Sequence, residues 1–92
     1  MKGVTRPKKT TLPASAQIPA KNLRPPPVEY THYLRVEQTF FYEPDASAEP
    51  VATFAAGTRV ARLGEIGGMC RVVDSRGLDV YTSCEGLEPL AT

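Results

Sequence analysis

The chain predicts a small all-β barrel of about five strands behind an extended, Pro-rich basic N-terminal arm, and three observations lead there. Beyond Val28 the apolar residues keep no helical spacing, while short runs rich in Val, Phe, Tyr and Thr alternate with turn residues. Six of the nine prolines lie within the first 28 residues. Charge divides at the same place: residues 1–28 carry Lys2, Arg6, Lys8, Lys9, Lys21 and Arg24 and no acid, a balance of +6, whereas residues 29–92 set five arginines against ten acids, a balance of −5. The formal total of +1 hides that division. With 92 residues there is room for one small domain, which the composition divides into an arm, 1–28, and a barrel, 29–92.

The arm contains RPKKTTLPASAQIPAKNLRPPP, in which Pro7, Pro13, Pro19 and Pro25 recur every sixth residue. Polyproline II has three residues per turn and rises about 3.1 Å per residue, so residues six apart share a face at intervals of roughly 19 Å. The preceding positions, Arg6, Leu12, Ile18 and Arg24, form a second stripe, apolar in the middle and basic at its ends. Such an arm suits a partner's groove, with Leu12 and Ile18 as anchors. The alternative is a disordered linker whose proline spacing has no structural cause.

In the body, Tyr33 to Phe41 reads as the first strand. Glu43, Pro44, Asp45 and Pro50 make a loop that no ladder passes through. Val51 to Phe54 is a short strand, Ala55-Ala56-Gly57 a turn, and Thr58 to Gly64 the next strand. Gly67-Gly68 supplies a tight hairpin into Met69 to Val73. Asp74-Ser75-Arg76-Gly77 has the residues of a type I turn, with Asp first and Gly last, leading into Leu78 to Thr82. The chain then closes with one helical turn and an edge strand through Gly86 to Leu90. Closure into a barrel removes exposed sheet edges. A body of about 64 residues buries only about 60% of its unfolded surface, so a partner that binds the folded form would help to stabilise it.

The stretch FFYEPDASAEPVATFAAGTRVARLGEIGGMCRVVDSRGLDVYTSCEGLEPL resembles a bacterial SH3 domain of the SH3b type. Pro44 to Pro50 stand for the family's first loop, Val51 and Phe54 for its short apolar strand, and Gly57, Thr58 and Val60 for its Gly-Thr-x-Val step. Gly67, Gly68 and Met69 occupy its Gly-Gly-Trp hairpin, and Val72, Gly77, Val80, Tyr81, Leu87 and Leu90 follow in order. The resemblance implies an SH3-like barrel. Two residues depart from the pattern: Met69 replaces the hairpin Trp, and Asp79 stands where Gly is common.

Constellations for catalysis are missing from the sequence. The lone histidine, His32, lies between Thr31 and Tyr33 at the junction of arm and body and reads as a surface or packing residue. Cys70 and Cys84 could form one bridge, but without a signal peptide they read rather as reduced thiols packed as small hydrophobes, and together with His32 they lack the Cys-x-x-Cys pair and the fourth ligand of a structural metal site. Gly64, Gly67 and Gly68 run into the strand Met-Cys-Arg-Val-Val and not into a phosphate-binding helix N-terminus. Asp45 and Glu49 read as a solvated acidic loop. No enzyme, cofactor or metal is therefore expected. Among Tyr30, Tyr33, Phe40, Phe41 and Tyr42, Phe40 is expected in the core and one of Phe41 and Tyr42 at the surface.

The expected function is a non-enzymatic protein–protein interaction component of a larger assembly, such as an accessory or connector of a virus particle, the barrel docking on one subunit and the arm lying along another. Its partner-binding residues are expected to be Arg6, Leu12, Ile18, Arg24, Tyr42 and Met69. The second expectation is an SH3b-type module for cell-wall peptide or another small ligand, with an aromatic pocket near Tyr42 and Met69. The third is an accessory subunit of an enzyme complex. A +6 segment also favours nucleic acid, but before Tyr30 it holds no aromatic residue to stack on bases, so only weak, salt-sensitive contact is expected. The opening MKGVTRPKKTTLP lacks the apolar run of a signal peptide, and no apolar stretch of about 18 residues predicts a membrane span. The cytoplasm or a virus particle is the expected location.

Overall fold

The computed structural model describes residues 18–90. They form seven short strands: β1 (His32–Leu34), β2 (Gln38–Phe41), β3 (Ala52–Phe54), β4 (Arg59–Ile66), β5 (Met69–Val73), β6 (Asp79–Ser83) and β7 (Leu87–Pro89). Two 3-10 turns, Ala20–Asn22 and Cys84–Gly86, are the helical elements among the described residues. The strands make one open sheet in the order β3-β2-β6-β5-β4-β1-β7, antiparallel throughout.

Turn chemistry sets the long hairpin β4–β5. Gly67 and Gly68 take φ of 59° and 82°, the doubly left-handed backbone of a two-residue turn whose twist matches its flanking strands. Ile66 consequently faces Met69, and Glu65 faces Cys70. The register shifts between Arg62 and Gly64, so Leu63 is the extra residue of a bulge and is turned toward solvent.

The sequence predicts one strand from Tyr33 to Phe41, and the chain instead bends at Arg35 and Val36. A strand has two edges, and this stretch needs four partners. Its first half pairs with β4 and β7, its second with β3 and β6. Loop backbone holds the bend: the Leu34 N–H donates to Thr58 O, the Gly57 N–H to Leu34 O, and the Arg35 N–H to Gly86 O at 2.7 Å.

Leu34, Phe40, Phe54, Val60, Cys70, Val72, Leu78 and Val80 form a single buried cluster. Its members come from strands β1 to β6 and the approach to β6, so the sheet coils around one core. The Phe40 and Phe54 rings lie 4.5 Å apart at its centre.

Cys70 and Cys84 are joined in a disulfide, which corrects the expectation of two reduced thiols. Pairing of Met69 with Ser83 and Cys70 with Thr82 brings the residue after Ser83 diagonally against Cys70, with Cα atoms 5.1 Å apart. Sequence spacing alone does not reveal that proximity.

Candidate binding cleft beneath the N-terminal segment

Alternation on β5 and β6 turns Cys70, Val72, Val80 and Thr82 inward and Arg71, Val73, Asp79 and Tyr81 to the other face. On a bare sheet that second face would meet water, yet Val73 and Asp79 are buried. The N-terminal segment covers them. Leu23 bridges to Leu78, and the Arg24 N–H donates to Gly77 O at 2.9 Å. Gly77 makes the close approach possible, since its φ is +86° and a Cβ there would overlap the Arg24 carbonyl.

Asp74 prepares this docking point. Its Oδ1 accepts the Arg76 and Leu78 N–H groups at 2.9 and 3.0 Å, closing the turn that presents Gly77.

The 3-10 turn at Ala20–Asn22 drives Asn22 down onto the sheet, where it is 2% exposed. Its Nδ2 donates to Tyr42 O at 3.1 Å and to Asp79 O at 2.8 Å, tying the segment to β6 and to the end of β2. Beside it the Arg71 guanidinium donates to both Asp79 carboxylate oxygens, Nε to Oδ1 at 2.8 Å and Nη2 to Oδ2 at 2.6 Å. The hydrogen bonds with Asp79 hold Arg71 more firmly protonated than an ordinary arginine. Arg24 Nη1 lies 3.6 Å from the same carboxylate, and Lys21 pairs with Glu43 at the rim.

These groups line a cleft of about 190 Å³: Lys21, Asn22, Tyr42, Glu43, Arg71, Asp79 and Tyr81. Asn22 Oδ1 and the Tyr42 hydroxyl are buried without a hydrogen-bond partner among the described residues. An unmet buried polar group costs about 1–3 kcal/mol, so these two atoms lower the stability of the segment's contact with the sheet. A second, less polar hollow of about 160 Å³ is bounded by Arg24, Pro25, Pro27, Ala61, Leu63 and Val73.

Of the residues expected to bind a partner, Arg6 and Leu12 lie outside the described residues. Ile18 packs against the core cluster, and Arg24 is held by Gly77 and Asp79, so both already have work within the chain. Tyr42 lines the cleft. Met69 is 4% exposed and offers almost no surface, and Phe41 and Tyr42 are buried and half-buried, so neither is the exposed aromatic that strand alternation predicted. The expected polyproline stripe is interrupted as well, because the 3-10 turn separates Pro19 from Pro25; Pro7 and Pro13 lie outside the described residues. Lys21, Asn22 and Arg71 escaped the sequence reading, although Asp79 in place of a common Gly was a signal at their position.

His32 shares a 2.8 Å hydrogen bond with Thr31 Oγ1, and partial burial together with the nearby Arg62 charge holds its pKa below the usual value. Elsewhere the Glu65 carboxylate and the Cys70 and Cys84 sulfurs lie within 4.8 Å of one another. Those sulfurs are bonded to each other, and Arg62 donates to both Cys70 Sγ and Glu65 Oε1, so in this state the group is not a cation site. Compared with known protein families, curated proteins and solved structures, the chain matches none.

Proposed function

We propose that the protein is a non-enzymatic interaction component of a larger protein assembly, with an SH3-like body docking on one subunit and its basic N-terminus on another. The observation that carries this reading is the separation of charge. Residues 1–17 hold Lys2, Arg6, Lys8 and Lys9 and no acid, while residues 18–90 hold seven cations and ten acids. The two ends of one small chain thus favour surfaces of opposite sign. An SH3-like form of the body is supported by a core shared from β1 to β6 and by the bend that sends β1 and β2 to opposite halves of the sheet. Nucleic acid is the weaker partner class, since the basic end lacks aromatic residues.

The test is capture from the native source by the full-length chain and by a variant with Lys8 and Lys9 replaced by Glu, at low and high salt. A protein partner that the variant loses at low salt supports the assembly reading. Equal capture by both chains would overturn the role of the basic end.

The cleft favours a second reading, a recognition module for cell-wall peptide or another small polar ligand. Its support is the polar lining that Lys21, Asn22, Arg71 and Asp79 give the cleft. Ligand binding that survives the Lys8 and Lys9 changes and is lost in Asn22→Ala distinguishes it from the first.

A further inference from the structure

The two sulfurs of the bridge sit in unlike surroundings. Cys70 is 1% exposed within the core, whereas Cys84 is half-buried at the start of the 3-10 turn that follows β6. Arg62 Nε donates to Cys70 Sγ at 2.9 Å, and its Nη2 is held by Glu65 Oε1 at 3.0 Å. The cation thus rests on the sulfur that solvent does not reach. A purely structural disulfide gains nothing from that arrangement, since a neutral sulfur is a weak acceptor. A departing thiolate gains much, because an adjacent guanidinium stabilises its charge and makes it the better leaving group.

We propose that the Cys70–Cys84 bridge is a thiol-exchange site for low-molecular-weight thiols, with Cys84 as the sulfur attacked and Arg62 as the residue that holds the departing Cys70 thiolate. The incoming thiolate attacks Cys84 Sγ along the S–S axis. A bond forms between the thiol's sulfur and Cys84, the Cys84–Cys70 bond breaks, and its electron pair goes to Cys70 Sγ. A second thiolate attacks the outer sulfur of the mixed disulfide, giving the oxidised small-molecule disulfide and a free Cys84 thiolate, which takes a proton from water. Two thiols are oxidised by two electrons in total, and the protein bridge is reduced by the same two. Glu65 lies near both sulfurs and would oppose a thiolate, and the one Arg62 charge meets both groups, Nη2 on Glu65 and Nε on Cys70. Arg62 is a positioning residue here, acting through Cys70.

The experiment treats the full-length oxidised protein with 2-mercaptoethanol at neutral pH, traps free thiols by alkylation at intervals and locates the adducts by mass spectrometry. The expected early species carries 2-mercaptoethanol on Cys84 and the alkyl group on Cys70. Replacement of Arg62 by Gln should slow opening about fivefold, with Arg62→Lys recovering part of the rate. The site of the adduct in the unaltered protein is independent of whether the variants fold. An adduct on Cys70, equal adducts on both cysteines, two free thiols before any reductant is added, or opening of a folded Arg62→Gln variant at the unaltered rate would each overturn the proposal.

Discussion

Ile18 to Pro27 and the strands beneath it are held by different kinds of interaction. The sheet encloses eight fully buried side chains, Phe40 and Phe54 among them, so its stability comes from apolar area removed from water. The N-terminal segment contributes Ile18 to that core, but its other attachments are directional: Asn22 on two carbonyls, Arg24 on Gly77 and on Asp79, and Lys21 on Glu43. The exposed Lys21–Glu43 pair adds about 0–1 kcal/mol and a hydrogen bond about 1 kcal/mol net, while Arg24 reaches the buried Asp79 carboxylate from 3.6 Å. The segment is therefore expected to open at lower cost than the sheet. Release of the segment would uncover Val73 and Asp79, which the sheet alone leaves facing water.

The largest effect should come from the core. Phe54→Ala removes the partner of the Phe40 ring and should cost about 3–5 kcal/mol, read as a lower denaturant midpoint common to the sheet and the segment. Loss confined to one of them would mean that the segment does not depend on this core.

An intermediate effect is expected at the docking point. Gly77→Ala places a Cβ on a left-handed backbone and against the Arg24 carbonyl, which should cost about 1–3 kcal/mol. The outcome that sharpens the contrast is faster hydrogen exchange at Arg24 and faster proteolysis between Ile18 and Val28, with the β5 amides still protected. Unchanged exchange at Arg24 would mean the segment is not anchored there.

Smallest is the pH response of His32. Its folded pKa lies below the ordinary value of 6.5, so the unfolded chain binds the proton more tightly. Its contribution to stability is full above that value and is lost as pH falls through 6.5 toward the folded pKa. Thermal melting from pH 7.5 to 5 should show this decline, and His32→Asn should flatten it. Equal slopes in the two proteins would remove His32 from the account.

Local chemistry made much of the sheet readable. Gly67-Gly68 and Asp74 to Gly77 specify their turns by backbone requirements that few other residues meet, and Met69 to Val73 is a strand in both readings. The break after Leu34 was not readable, because it depends on four strands competing for the edges of one stretch. The cleft was hidden for a similar reason. Asn22 and Asp79 are 57 residues apart and meet because the segment crosses the outer face of β6. A partial signal existed in Val72-Val73, whose consecutive apolar side chains point to opposite faces and so call for cover on both.

By itself the sequence determined the all-β class, the tight turns and the unequal division of charge, all of which follow from residue type and near-neighbour spacing. Only the tertiary structure decided that Ile18 to Pro27 belongs with the sheet, that Met69 is covered, and that Cys70 meets Cys84 beside Arg62. Those outcomes rest on strand register and on a segment laid across a sheet face. Such contacts join residues distant in the chain, and no local preference encodes them.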